Sequence, residues 1–440
     1  MSTTLADAAV EPLNVTPDRL HALDAVRGYA LILGVVLHSV AAFMTDFPMA
    51  VWRLEPSTTA GVMYYVIHIF RMAAFYLIAG FFARMVVERR GVKAFIKDRS
   101  KRILVPLVLG LPVVLIITGV GMMLGALPHG MDYLTSLTRP PPGQPAAAAQ
   151  SGIDLVHLWF LYYLLIFYAF ALVLRAAVRN FDLSGSIMTA CDSAVSFIMR
   201  GVWGPVLLAL PAAVYYWNYQ PWSEWLGLPA PTSLVPQVGA IIGYGVAFGL
   251  GWLLHRQVPT LMALRNSWVL YLVIAIPLTV VCLAIIGTTP IWHGGNIQGY
   301  ARAIYAAAYM IAVWCWVFAF VGAAIRFLSD HSPTTRYLAD SSYWVYLMHM
   351  APVIFFISLL RPYHLPWAVN LVIIVGGSMP ILLISYHYLV RFTWIGAILN
   401  GRRHPRATLP TSGPGYDVAR STASGTTGEE YGVRHQGGSS

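Results

Sequence analysis

Arg27 opens an apolar run that closes on His38, and Asp24 precedes the arginine by about one turn. Eleven steps at 100° each make three turns plus about 20°, so Arg27 and His38 share one helix face, with Asp24 close to it. The rise between the two is about 16 Å, which puts Arg27 at a membrane surface and His38 near the midplane of a spanning helix. A neutral imidazole at that depth can take a proton from a hydroxyl, as a general base does. A packed histidine bonded to a neighbouring helix is the plain alternative.

A second such pair is His68 and Arg71. Positions i and i+3 share a helix face, and both fall near mid-depth of their own apolar run. A guanidinium there must meet an anion, a water cavity or several carbonyls. His349 ends the run Ser341-Ser342-Tyr343-Trp344-Val345-Tyr346-Leu347-Met348 and reaches the same level, so three histidines and an arginine from three helices are expected to converge. Arg99 and Arg102 stand three apart at the mouth of a further apolar run, where two guanidiniums can grip a phosphate bidentately. On spacing alone, a basic stop signal against anionic lipid is the favoured account of that charge. His157 lies at the outer end of its run, suited to an acceptor or to capping the helix. Trp222, Glu224 and Trp225 form an aromatic-plus-carboxylate group in residues 218–235; an interfacial belt is the plainer account than sugar binding.

The elements that must carry these residues are membrane helices. Of 440 residues 58% are hydrophobic and only 10% are charged, where soluble chains carry about 25%. The mean hydropathy is +0.65 over the whole length. Soluble-enzyme, disordered and disulfide-scaffold classes are excluded. The expected fold is an all-α polytopic membrane protein of about ten transmembrane helices, at 26–46, 60–83, 103–126, 154–174, 201–217, 236–254, 267–287, 303–325, 338–360 and 367–391. The fifth, interrupted by Pro205 and Pro211, is expected to pack inside the bundle, where neighbours satisfy the freed carbonyls.

The net charge of +10 is read as cytoplasmic loops, with no nucleic-acid partner. With the N-terminus in the cytoplasm, 23 basic residues fall inside, from Arg19 to Arg434, and four outside (Arg53, Arg139, Arg302, Arg361), leaving Arg71 within a span. Both termini are then cytoplasmic. Residues 1–20 form a polar N-terminal segment without the pattern of a cleavable signal, 21–391 the membrane domain, and 392–440 a disordered tail rich in Gly, Ser and Thr. Residues 127–153, which include Arg139-Pro140-Pro141-Pro142-Gly143, are expected to be a mostly unstructured outer loop, and 175–200 a cytoplasmic connection. The three cysteines, Cys191, Cys282 and Cys315, are scattered, so neither a disulfide framework nor a metal site is indicated.

Leu23-Asp24-Ala25-Val26-Arg27-Gly28 with His38, Phe75-Tyr76-Leu77-Ile78-Ala79-Gly80-Phe81-Phe82, the Arg-x-x-Arg of Arg99 and Arg102, and Ser342-Tyr343-Trp344-Val345-Tyr346-Leu347-Met348-His349 together resemble the membrane acyltransferase-3 family. They occur in the family's order, and the resemblance spans most of residues 20–391. Within the family, His68-Ile69-Phe70-Arg71-Met72 and His157-Leu158-Trp159-Phe160-Leu161 look most like the glucan-biosynthesis protein C group, which resembles succinyltransferases of osmoregulated periplasmic glucans.

That resemblance implies a multi-pass protein of the bacterial inner membrane with no bound cofactor. Its donor would be a cytoplasmic acyl-CoA, succinyl-CoA in this group, and its acceptor a periplasmic glucan, with membrane lipid around it. It implies His38 as the catalytic residue, with Arg27, Arg99 and Arg102 around the CoA phosphates; Asp24, on the same helix face, is expected to assist at the catalytic site by positioning the donor and the helix terminus. Arg71, the cation suited to a dicarboxylic acyl group, is joined by His68, His349 and His157 on the acyl and acceptor side. A homodimer is compatible with this reading. No fused periplasmic domain is expected, so the bundle itself must recognise the acceptor. Two other readings keep the same residues and give them a different use. One is an O-acetyltransferase of lipopolysaccharide or exopolysaccharide, and the other is a transporter or flippase without covalent chemistry. Against the transporter stand the lack of an internal repeat, the expected absence of paired broken helices and the few intramembrane acids.

Overall fold

A backbone in hydrocarbon must satisfy its own hydrogen bonds, so each apolar run folds as a helix. The computed structural model describes residues 18–44, 53–138, 153–219, 222–289, 297–330 and 332–401, and no β-strand forms among them. Helix α1 (Asp18–Val40) is followed by α2 (Thr58–Arg99), a π-helical turn (Ser100–Leu104) and α3 (Val105–Ala126). A short α4 (Met131–Thr138) precedes α5 (Trp159–Phe181), α6 (Ser186–Arg200) and α7 (Gly204–Asn218). Then come α8 (Val238–Leu254), α9 (Val258–Ile286), α10 (Gly299–Phe327), α11 (Pro333–Met348), α12 (Met350–Leu360), α13 (Trp367–Ser385) and α14 (Trp394–Leu399).

By length and composition seven described stretches are able to cross a membrane, or nine if each of two bent pairs is one span. One of the seven is the 72-residue run Thr58–His129, which contains both the 60–83 and the 103–126 spans expected from sequence. Within it, α2 leaves helical geometry at Gly91, whose φ of 79° suits a residue without a Cβ.

Helix α2 lies against α8, α9 and α7 lie against α10, α3 lies against α12, and α1 is packed between α2 and α11. Small residues set the α2–α8 approach. A Cβ on Gly80 would strike the Phe248 carbonyl, and one on Gly251 would strike the Leu77 carbonyl. Each helix thus offers a glycine where the other brings its backbone, the contact that replaces a hydrophobic driving force in lipid.

Several expectations need correction. The 175–200 connection is largely helical: α5 runs to Phe181, and α6 occupies Ser186–Arg200 and bends by 107° into α7. Helix α7 is not enclosed. Leu208, Ala212 and Tyr216 are buried, while Leu210, Val214 and Trp217 on its opposite side are exposed. The segment following α3 begins with a 3₁₀ turn (Leu127–His129) and α4; the Arg139-to-Gly143 stretch lies outside the described residues. The ninth span is broken at His349, where α11 and α12 meet at 61°; with α6 and α7 this makes two bent pairs where no paired broken helices are expected. Pro352 lacks the N–H that would close the preceding turn, the usual cause of such a bend. The expected tail begins with an ordered α14, while residues 402–440 lie outside the described residues.

Arg302 is expected in an outer segment and the aromatic group around Glu224 in an interfacial belt. Both Arg302 and Glu224 are instead 2% exposed, joined by a 2.9 Å ion pair. Arg302 also donates to the carbonyls of Tyr216, Tyr219 and Ile297. Tyr305 donates its hydroxyl to the Glu224 carbonyl at 2.6 Å, Trp222 donates to the Gly227 carbonyl at 2.7 Å, and the guanidinium lies 5.8 Å from the Trp222 ring. Trp222 and Trp225 are therefore core residues, and the pair pins the 222–237 segment onto α10. Removing one member of a buried pair costs about 3–5 kcal/mol, whereas replacing both by apolar groups is often neutral. Glu224→Gln and Arg302→Met are each expected to destabilise the protein by about 3 kcal/mol. The double variant Glu224→Leu/Arg302→Met should lose less than either, measured by thermal unfolding in detergent. Losses that simply add would contradict the pairing.

Candidate active site within the bundle

The residues singled out by spacing, Asp24 excepted, line one cavity of about 300 Å³. Helix α1 contributes Arg27, Gly34 and His38, and α2 contributes Tyr64, His68, Arg71 and Arg99. Arg102 comes from the π-helical turn, His157 from the 3₁₀ turn before α5, and Tyr346 and His349 from α11 and its break.

One end is basic. Arg27 Nη2 pairs with Asp24 Oδ1 at 3.1 Å and donates to the Ala339 carbonyl at 3.4 Å. Asp98 is shared: its Oδ1 lies 3.1 Å from Arg102 Nε, and its Oδ2 lies 3.7 Å from Arg99 Nε. The Arg99 guanidinium is flanked by the rings of Phe95 and Tyr168 at 5.3 and 5.5 Å, which orders it without neutralising it. Arg102 donates to the Asn400 carbonyl at 3.0 Å, and Tyr343 donates to the Arg102 carbonyl. Arg27, Arg99 and Arg102 line this end together with Asp340, while Asp24 and Asp98 pair with them, and guanidiniums gathered in this way suit phosphate oxygens. Asp24 touches Arg27 but not His38, from which fourteen residues separate it, or about 21 Å of helix rise. It therefore holds Arg27 and stands well away from His38, with which the sequence groups it.

The other end is a cluster of imidazoles. The His38 and His349 ring centroids are 5.0 Å apart, and those of His349 and His157 are 4.9 Å apart. His349 Nδ1 meets the Tyr346 carbonyl at 2.8 Å, His157 Nε2 meets the Leu347 carbonyl at 3.3 Å, and His68 Nε2 meets the Leu228 carbonyl at 3.0 Å. A carbonyl only accepts, so each of these nitrogens carries the hydrogen and the other nitrogen of a neutral ring carries a lone pair. Those other atoms, His349 Nε2, His157 Nδ1 and His68 Nδ1, are buried without a hydrogen-bond partner. His68 also stacks on Tyr64, with centroids 5.4 Å apart. Among the described residues no three His, Cys, Asp or Glu side chains are grouped as metal ligands.

Arg71 lies between the two ends. Its guanidinium occupies the space a Cβ would take at Gly34, which is one turn before His38 on the same face. Among the described residues it forms no ion pair, and its Nε has no hydrogen-bond partner. Spacing found the ionisable residues but missed Tyr64, Tyr346, Asn400 and Gly34. Tyr346 fell inside a quoted motif, three residues before His349, and that helical offset was the available signal.

Residues 20–388 match the acyltransferase-3 family, described as Acyltransferase domain. The chain belongs to this family. As an acyltransferase-3 protein, it is similar over part of its length to curated relatives named Glucans biosynthesis protein C. The protein from Shigella dysenteriae serotype 1 (strain Sd197) is 26% identical over 171 residues, covering 38% of this chain and 41% of the relative. Those of Escherichia coli (strain SMS-3-5 / SECEC) and Escherichia coli O157:H7 (strain EC4115 / EHEC) are 26% and 25% identical over the same length. The match thus spans about two fifths of the length of these relatives. No solved structure matches the chain.

The Arg71–Gly34 contact yields a prediction for this member of the acyltransferase-3 family. Gly34→Ala adds a methyl group where the flexible guanidinium tip rests, so the tip moves while the helices stay. Acyl transfer should fall by about tenfold or more, with the unfolding temperature in detergent changed by no more than a surface substitution would. A folded Gly34→Ala protein of full activity would show that the position of Arg71 does not matter.

Proposed function

We propose that this chain is a transmembrane O-acyltransferase that moves a succinyl group from cytoplasmic succinyl-CoA to hydroxyls of osmoregulated periplasmic glucan. It would work in the bacterial inner membrane, with ten crossings and both termini in the cytoplasm, the arrangement that sorts 23 basic residues from four. The observation that carries the reading is the single cavity with phosphate-suited arginines at one end and imidazoles at the other.

CoA is too polar to enter hydrocarbon, so its phosphates rest on Arg27, Arg99 and Arg102, with Asp24 and Asp98 orienting the guanidiniums. The extended pantetheine arm then carries the thioester along α1 over the roughly 16 Å that separates Arg27 from His38. His38 takes the proton of a glucan hydroxyl as its oxygen attacks the thioester carbonyl. The new C–O bond forms, the C–S bond breaks, and the proton passes from the imidazolium to the departing thiolate. His68, His157 and His349 line the acyl and acceptor end. Arg71, with no carboxylate paired to it among the described residues, takes the free carboxylate of the succinyl group, a charge-assisted contact worth about 1.5–3 kcal/mol.

The names of the relatives and the family membership support this reading; the choice of succinyl rests on Arg71. Purified protein given glucan with succinyl-CoA or acetyl-CoA tests it. The wild type should transfer succinyl, and Arg71→Leu should lower succinyl kcat/KM by about tenfold or more while acetyl transfer changes little. Equal losses with both donors would remove the carboxylate role, and no transfer by the wild type would contradict the function.

A further inference from the structure

Two further guanidiniums meet outside the cavity. Arg84 and Arg175 are each the first residue after an apolar run, 60–83 on α2 and 154–174 on α5. A run of about 20 apolar residues spans the hydrocarbon, so the residue that ends it stands at headgroup level. Neither arginine lines the cavity. Both approach one oxygen, Glu88 Oε1, through Nε: Arg84 at 3.7 Å and Arg175 at 3.8 Å. Both distances exceed a hydrogen bond, and the Glu88 side chain is 42% exposed, so this carboxylate offsets the two charges only weakly.

The Arg84 guanidinium is nearly buried. Its Nη1 reaches the Trp252 carbonyl at 3.5 Å, and its centre lies 5.8 Å from the Trp252 ring. Its Nε has no hydrogen-bond partner. Arg175 meets Glu88 alone among the described residues. Two cations beside one loosely placed carboxylate leave a positive charge over, and a buried N–H without an acceptor is costly. Phe170, Val173 and Leu174, the turn of α5 that leads into Arg175, are exposed and apolar. On a helix that crosses a bilayer such side chains face lipid acyl chains.

We propose that Arg84 and Arg175 together hold the phosphate of an anionic phospholipid, whose acyl chains lie along Phe170, Val173 and Leu174 of α5. The guanidiniums donate to the phosphate oxygens, and the half-exposed Glu88 gives way to them. The apolar surface beside Arg175 favours a lipid over free phosphate, and the bound headgroup fastens α5 to α2 where both helices leave the hydrocarbon. This site is separate from the donor's arginines. Arg99 and Arg102 lie further along, beyond the point where α2 leaves helical geometry at Gly91.

Native mass spectrometry of the purified chain in detergent, titrated with dioleoylphosphatidylglycerol, reads the binding. Wild type should retain one such lipid about tenfold or more tightly than it retains dioleoylphosphatidylcholine, and Arg175→Gln should lose that margin. Arg179→Gln removes the same charge from the same end of α5 and should stay within about threefold of wild type. Arg84→Gln should match Arg175→Gln. If the buried Arg84 variant does not fold, Arg175→Gln decides alone, because Arg175 is partly exposed. Inorganic phosphate at the concentration of the lipid should fail to displace it. Equal retention by wild type and Arg175→Gln, or equal losses in Arg175→Gln and Arg179→Gln, would overturn the proposal. So would displacement by inorganic phosphate or the lack of a preference over phosphatidylcholine.

Discussion

The Arg71 guanidinium rests against Gly34 of α1, with no carboxylate paired to it among the described residues. A cation in this setting is tolerated only where the bundle encloses a polar space around it. Several features of the fold serve that requirement. The glycine at 34 makes room for the guanidinium, and the glycines at 80 and 251 draw α2 and α8 together behind it. Carbonyls of α11 and of the 222–237 segment hold the surrounding imidazoles in fixed orientations. The Glu224–Arg302 pair anchors that segment on α10.

The cavity has two unlike ends, one lined by arginines and one by imidazoles, and helix α1 runs from one to the other. Arg27 and His38 share a face of α1, so its axis sets the separation between the arginines and the imidazoles, which the proposed reaction uses for the donor's phosphates and for proton transfer. A donor with a charged head and an extended arm matches that separation. The acceptor end differs in kind: its groups come from α2, the turn before α5 and the break after α11, so its shape depends on how those elements meet.

Helical arithmetic sufficed for what lies on one element. The Arg27–His38 face, the His68–Arg71 pair and the Arg99–Arg102 pair all follow from offsets of three or near-multiples of 3.6, and the cavity gathers all six residues. Contacts between distant residues were illegible. Trp222, Glu224 and Trp225 have the composition of an interfacial belt, and only the arrival of Arg302 from α10 makes them core. Asn400 holds Arg102 across 298 positions of sequence, and no local pattern announces it. The bends were missed for the same reason. Apolar composition marks a run as helical but not the direction in which it leaves a proline or a glycine.

The central claim, acyl transfer to glucan through His38, is tested most directly by the mass and charge of periplasmic glucan from a deletion strain. That strain is rescued with wild type or with His38→Ala at equal membrane levels. The account predicts that wild type restores an anionic acyl substituent whose mass increment is that of succinyl, and that His38→Ala restores none. Full rescue by His38→Ala, or glucan unchanged by the deletion, would contradict it.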